Sequence, residues 1–310
     1  MRDSVKTVLQ AGCLLAGLSA GMTCLPASLM AQTEGALSPT LATIKQTHTV
    51  RLGYRESSPP FSFLDKANRP IGYSLEICEA IVEEVGNEVD DSNLKIDYVK
   101  VTSDDRFAAV MQNKIDFECG STTANAERAK QVAFSPMIYV SGTKLMVAKT
   151  SPIVAPKDLA GKTVVVTKGT TNEQAMHAVD AKFSLGLKFL VGADHDQSYQ
   201  MLVDQKADAF ATDDILLAGL IVQHKSQDKF HVVGDYLSYD PYGIMFRKGE
   251  PEVTAVVERT LRKLATNQDL LPLYKKWFNS RLPTGDRMDV PISAQLEDAF
   301  HVLDDSPGGK

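Results

Sequence analysis

The chain has 310 residues, with 33 Lys and Arg against 39 Asp and Glu, and a formal charge of −6. This mildly acidic balance, without a basic run, excludes a nucleic-acid surface, and 44% hydrophobic residues exclude a disordered chain. After residue 31 no apolar run is long enough to span a membrane, and the length suits two domains, each with its own core.

Residues 1–31 read as a secretory signal peptide. Arg2 and Lys6 precede an apolar core around Leu14, Leu15 and Ala16, and small residues lead to Ala31, the expected cut point. Met22 and Thr23 ahead of Cys24 fit a lipoprotein signal badly. Cleavage removes Arg2, Lys6 and Asp3, which moves the charge to −7. Cys78 and Cys119 remain, and an even number in an exported chain suggests one disulfide. It would close a loop of about 40 residues and contribute about 3–4 kcal/mol; two separately buried thiols are the alternative. No His/Cys grouping has metal-ligand spacing, so neither a metal nor a cofactor is expected.

A polar leader (32–45) is followed by a strand at 50–54. Ser74 is placed to cap a helix carrying Leu75, Ile77, Ile81, Val82 and Val85 as far as Gly86. A strand at 94–101, a short helix at 106–112 and a strand at 115–118 come next. That last strand runs into Cys119-Gly120-Ser121-Thr122-Thr123, with Arg128 five residues beyond. Hydroxyls, free N–H groups and a guanidinium at one junction suit a carboxylate and an ammonium, although a capped helix beside a solvated arginine has the same pattern.

The alternation then restarts. A long strand is predicted over 140–149, a short helix at 157–159 and a buried strand at 162–167. Thr170 and Glu173 have capping-box spacing, which sets a helix N-terminus there. Strands at 187–191, 209–212 and 231–233 alternate with helices around 198–204 and 214–224. A strand at 243–247 and helices at 251–265 and 270–277 precede a Pro- and Asp-rich tail (281–310) with one amphipathic piece at 294–302. Repeated βαβ alternation predicts two open α/β sheets with ligand at the carboxyl ends of the strands. The lobes divide into 46–145 plus 243–280, and 146–242. The crossings lie near 144–150 and 236–243, a natural two-strand hinge.

With these elements in place, the chain resembles the periplasmic solute-binding proteins of ABC amino-acid importers, in their glutamate/aspartate-binding branch. The matching pieces, in order, are Arg55 through Ser62, Gly72-Tyr73-Ser74, Thr102 through Arg106, and Glu118 through Thr123. They continue with Glu127-Arg128, Phe134-Ser135, Gly169-Thr170-Thr171, Asp194-His195 and Asp213-Asp214. The resemblance runs from about residue 45 to 280. It implies a two-lobe, type II periplasmic-binding-protein fold and a monomer that hands L-glutamate or L-aspartate to a membrane permease and its ATPase.

The resemblance also implies a site, residue by residue. Arg128 would grip the ligand α-carboxylate, assisted by N–H groups at Thr123 and Thr171. Ser121, the Thr123 hydroxyl and Asp213 would take the α-ammonium, and Phe61 would pack on the aliphatic part. Arg55, Ser103, Arg106 and His195 would hold the side-chain carboxylate. Tyr54 departs from the pattern, standing where close relatives carry His, and Lys168 adds a positive charge at the second lobe's turn. Charge counting points the same way: three Arg against one Asp suit an anionic ligand and reject Lys or Arg. Two rival functions use the same fold. One is a dehydratase, for which Glu173 is the one carboxylate near the cleft; its capping position accounts for it without chemistry, so no catalytic residue is expected. The other is a sensory module, which would need a separate receptor.

Overall fold

The computed structural model describes residues 37–283 and 287–304; the predicted signal peptide, residues 1–31, lies outside the described residues. The first lobe opens with α1 (Pro39–Thr47) and β1 (Thr49–Tyr54), then a small sheet of β2 (Ser57–Ser58), β3 (Ser62–Leu64) and β4 (Pro70–Ile71). α2 (Tyr73–Val89), β5 (Lys95–Lys100), α3 (Arg106–Met111), β6 (Phe117–Glu118) and β7 (Val132–Phe134) follow. The chain crosses over through β8 (Tyr139–Ser141). The second lobe holds β9 (Thr143–Ala148), β10 (Thr163–Thr167), α4 (Thr171–Phe183), β11 (Lys188–Gly192) and α5 (His195–Val203). It is completed by β12 (Ala209–Asp213), α6 (Asp214–Gln223) and β13 (Phe230–Val233). The return runs through β14 (Asp240–Tyr242) to β15 (Met245–Arg247), α7 (Pro251–Thr266), α8 (Leu270–Tyr274), a π-helical turn (Lys275–Asn279) and α9 (Ala294–Asp304).

The two main sheets share one plan. The first has the order β5-β1-β6-β15-β7 and the second β11-β10-β12-β9-β13. In each, three parallel strands are followed by an antiparallel strand that the chain enters directly after a crossing. The expected open α/β lobes are therefore present. β8 and β14 pair antiparallel, with Tyr242 opposite Tyr139, and form the two-strand connection between them.

Four expectations change. The strand predicted over 140–149 breaks at Gly142, because its first part pairs in the hinge and its second part joins the second sheet. A Cβ on Gly142 would collide with the Ser238 carbonyl, so only glycine lets the chain turn there. The second lobe thus starts at Thr143 rather than residue 146, and the first crossing lies at Tyr139–Ser141 rather than 144–150. Ser74 does not cap α2; Gly72 holds that position, and the Ser74 hydroxyl donates to the Gly120 carbonyl at 2.7 Å. The leader is also folded from Pro39 onward. Leu41 and Ile44 are buried, and the Thr40 N–H and hydroxyl donate to Glu250 at 2.9 and 2.8 Å. Finally, α9 places Leu296 and Phe300 in the first lobe's core, so this part of the tail is an integral helix.

That core is the larger one, and it includes Phe61, Tyr73, Tyr139, Tyr242 and Phe278. The Cys78–Cys119 disulfide is present, tying α2 to the end of β6 across 41 positions. The second sheet is covered by a separate apolar cluster on each side. Helix α6 explains how the lobes meet. Its Leu217, Leu220 and Ile221 fill the second lobe, while Ile215, Leu216 and Val222 pack into the first lobe's cluster. A helix apolar all round must be buried on both faces, and α6 is.

Candidate functional site

The first lobe supplies charge. Arg55 follows β1, where its backbone N–H donates to Ser62 Oγ at 2.8 Å and its guanidinium donates to Ser103 Oγ. Arg106 opens α3 and donates to the Ser103 carbonyl. Arg128 opens a 3-10 turn and donates to the Thr123 carbonyl at 3.0 Å and, across the cleft, to the Gly169 carbonyl at 3.3 Å. The Phe107 ring lies between Arg106 and Arg128, with guanidinium carbons 5.1 and 5.2 Å from its centroid. Burial lowers the pKa of all three arginines, and the charges of Arg55 and Arg128 lower that of Arg106 further. Three crowded guanidiniums are a strong anion site.

The second lobe supplies a helix N-terminus and neutral polar groups. Thr170 caps α4, accepting from the Glu173 N–H at 3.1 Å, and Glu173 reaches back to the Gly169 N–H at 3.0 Å. Gly169 has φ +73°, and a Cβ there would press on the Asp104 Cα and the Ser103 carbonyl of the opposite lobe. Asn172 donates to Asp213 Oδ1 at 2.9 Å, and Tyr242 donates to Asp213 Oδ2 at 2.5 Å. Burial and then the nearby Asp240 push the Asp213 pKa up to about 8. His195 sits in the first turn of α5 with Nδ1 3.0 Å from Thr167 Oγ1. Burial, reinforced by Arg55 and Arg106, holds its pKa well below the usual imidazole value, so it is neutral at pH 7.

These groups converge on one small cavity between the lobes. Arg55, Ser103, Arg106, Ser121, Thr123 and Arg128 line it from one lobe; Thr171, His195 and Asp213 line it from the other. Ser121 Oγ and Arg106 Nε are buried without a protein partner, which leaves hydrogen-bonding capacity for a ligand. Phe61 is the exception and corrects the expectation. It is fully buried in an aromatic cluster, with ring centroids 5.0 Å from both Tyr139 and Tyr242 of the hinge. An apolar ring gains more there than on a polar cleft wall. Tyr54 packs edge-on to Tyr98 instead of lining the cavity, and Lys168 pairs with Asp104 across the lobes at 2.9 Å. Among the described residues no group of His, Cys, Asp or Glu is arranged to hold a metal.

Thr170, Asn172 and Leu216 also line the cavity and were not anticipated. Asn172 could have been inferred from its place in the first turn of α4, whereas Leu216 is indistinguishable in sequence from the core residues around it. Asp240 was missed as well. From the hinge, its Oδ1 accepts from the Thr171 hydroxyl at 2.7 Å and the Thr123 hydroxyl at 3.0 Å. It thereby ties one cavity residue of each lobe to the connection between them.

Comparison with known proteins gives a consistent result. Residues 50–280 match the family described as bacterial extracellular solute-binding proteins, family 3. The chain is 35% identical over 300 residues to a glutamate/aspartate import solute-binding protein of Salmonella typhimurium, covering 96% of each chain. It is 39% identical over 263 residues to an L-glutamate/L-aspartate-binding protein of Pseudomonas aeruginosa, covering 84% of this chain and 87% of that one. Among solved structures, an ancestral arginine-binding protein bound to arginine superposes with a TM-score of 0.67 at 28% identity, over 74% of this chain and 98% of that one.

Proposed function

The chain belongs to the bacterial extracellular solute-binding proteins, family 3, and we propose that it binds L-glutamate or L-aspartate in the interlobe cavity and delivers it to the permease and ATPase of an ABC importer. It would act in the periplasm as a monomer, without catalysis and without a nucleic-acid partner. The single observation that carries this reading is the convergence of Arg55, Arg106 and Arg128 on one small cavity opposite Asp213.

Arg128 and the N–H groups of Thr123 and Thr171 bind the α-carboxylate, the latter at the positive end of α4. Ser121, the Thr123 hydroxyl and Asp213 bind the ammonium. Arg55, Arg106, Ser103 and His195 bind the side-chain carboxylate, with the neutral imidazole donating one hydrogen bond. Ligand docks on the first lobe, and closure brings α4 and Asp213 onto it; contacts made only in the closed form shift the open–closed balance. Lysine or arginine would face three cations, and a neutral amide would leave buried guanidiniums unpaired.

Titration calorimetry with glutamate, aspartate, glutamine and succinate tests the reading. Glutamate or aspartate should bind with about −8 kcal/mol or better, and glutamine at least about 100-fold more weakly. Equal binding of glutamine and glutamate would sink the dicarboxylate assignment.

A further inference from the structure

Glu118 has no part in the binding scheme above, yet it is the least explained charge in the first lobe. It ends β6 fully buried, and neither carboxylate oxygen has a hydrogen-bond partner. An uncompensated buried carboxylate is costly, so a compensating charge must lie close. The arginines of the cavity are that compensation. Glu118 acts electrostatically on Arg55, Arg106 and Arg128, and for Arg55 it is the strongest of the charged neighbours. The backbone is shaped to admit it. A Cβ on Gly120 would collide with Glu118 Oε1 and stand 2.9 Å from Arg55 Cγ, so glycine lets carboxylate and arginine stem lie side by side. The turn is immobilised by the Cys78–Cys119 disulfide and by the Ser74 hydroxyl on the Gly120 carbonyl.

Glu118 is absent from the cavity lining, so it does not touch ligand. Resting on the acidic-amino-acid reading above, we propose that Glu118 determines specificity through its charge. As a fixed carboxylate behind Arg55 it offsets one of the three guanidiniums. The cavity then favours a dicarboxylate that carries an ammonium over the same dicarboxylate without one. Charge buried behind the cavity wall is poorly screened and acts on whatever the cavity holds. Removing it makes the cavity more positive, and a ligand of charge −2 gains more from that than a ligand of charge −1.

The test is the ratio of glutamate to glutarate affinity, measured by calorimetry on wild type, Glu118→Gln, Glu118→Met and Glu118→Asp, with thermal melting to establish folding. The two neutral variants should shift the ratio toward glutarate by at least about tenfold, while Glu118→Asp stays within about twofold of wild type. An unchanged ratio in whichever neutral variant folds overturns the proposal. So does an equal shift in Glu118→Asp, which would trace the effect to packing rather than charge. A wild type that binds neither glutamate nor aspartate would instead refute the binding reading itself.

Discussion

The two lobes are built on one strand order, yet they bring different chemistry to the cavity. The first contributes Arg55, Arg106 and Arg128 from the end of a strand and the starts of two short helices. The second contributes the N-terminus of α4, a neutral His195 and Asp213. The first is also the more heavily braced. It holds the disulfide, both ends of the described chain and a continuous core reaching from α1 to α9. The second has two smaller clusters and no disulfide among its described residues. One topology therefore carries a braced, arginine-rich wall in one lobe and a helix N-terminus with neutral polar groups in the other, because strand order fixes where side chains meet but not which ones they are.

Four experiments break or sharpen that contrast. Replacing Cys78 and Cys119 together by Ala should cost about 3–4 kcal/mol of stability, measured by urea unfolding, since the bridge closes a loop of 41 positions. The loss should fall on the first lobe, so hydrogen exchange in β9–β13 should change far less than in β1 and α2. Uniform loss would mean that the lobes unfold as one unit.

Arg128→Ala removes the cation that reaches across to the Gly169 carbonyl and should weaken glutamate binding at least about 100-fold with little change in melting temperature. Affinity within a few-fold of wild type would rule out this arginine as the carboxylate anchor.

Gly219→Ala separates closure from lobe stability. Alanine favours a helix interior over glycine, so α6 itself should not suffer. The added methyl would nevertheless collide with the Pro59 carbonyl of the first lobe. Glutamate affinity should drop about tenfold while melting of the ligand-free protein is unchanged or raised. Undiminished affinity would show that binding does not require this approach of the lobes.

The smallest effect concerns protons. Asp213, raised to about 8 from its ordinary value, keeps its proton in the ligand-free cavity at neutral pH. Its contribution to stability is thus complete below about pH 4 and is lost as the pH rises to about 8. An ammonium seated on Asp213 requires the ionised form, so glutamate binding at about pH 6.5 should release up to about one proton, and none at about pH 9. Calorimetry in buffers of different ionisation heat reads this directly. No release at the lower pH would place the ammonium elsewhere.

Most residues that line the candidate site could be named from the sequence because they sit in short local motifs. Periodicity places Arg55, Ser103, Arg106, Ser121 and Thr123 beside strand ends or helix starts, and Thr170 and Glu173 announce the start of α4, but the ligand roles of Arg55, Ser103 and Arg106 came only from the family resemblance. Phe61 was misplaced because a motif position does not say which way a ring turns, and burial among Tyr139, Tyr242 and Phe278 decided that. Asp240 had no signal, since its partners Thr123 and Thr171 are 117 and 69 residues away.

The sequence by itself determined the alternation of strands and helices, the hydroxyl-rich turn at Cys119–Thr123, the excess of arginine over acid among the candidate site residues and the pair of cysteines able to bridge. These follow from local propensity, spacing and charge. Only the tertiary structure decided that the chain crosses at Tyr139–Ser141 and turns at Gly142, that α1 and α9 belong to the first core, and that α6 is shared between lobes. It also placed Glu118 beside Arg55 without a hydrogen-bond partner. Each of those depends on which distant surfaces meet, and burial and close contact between them are not encoded in any single segment.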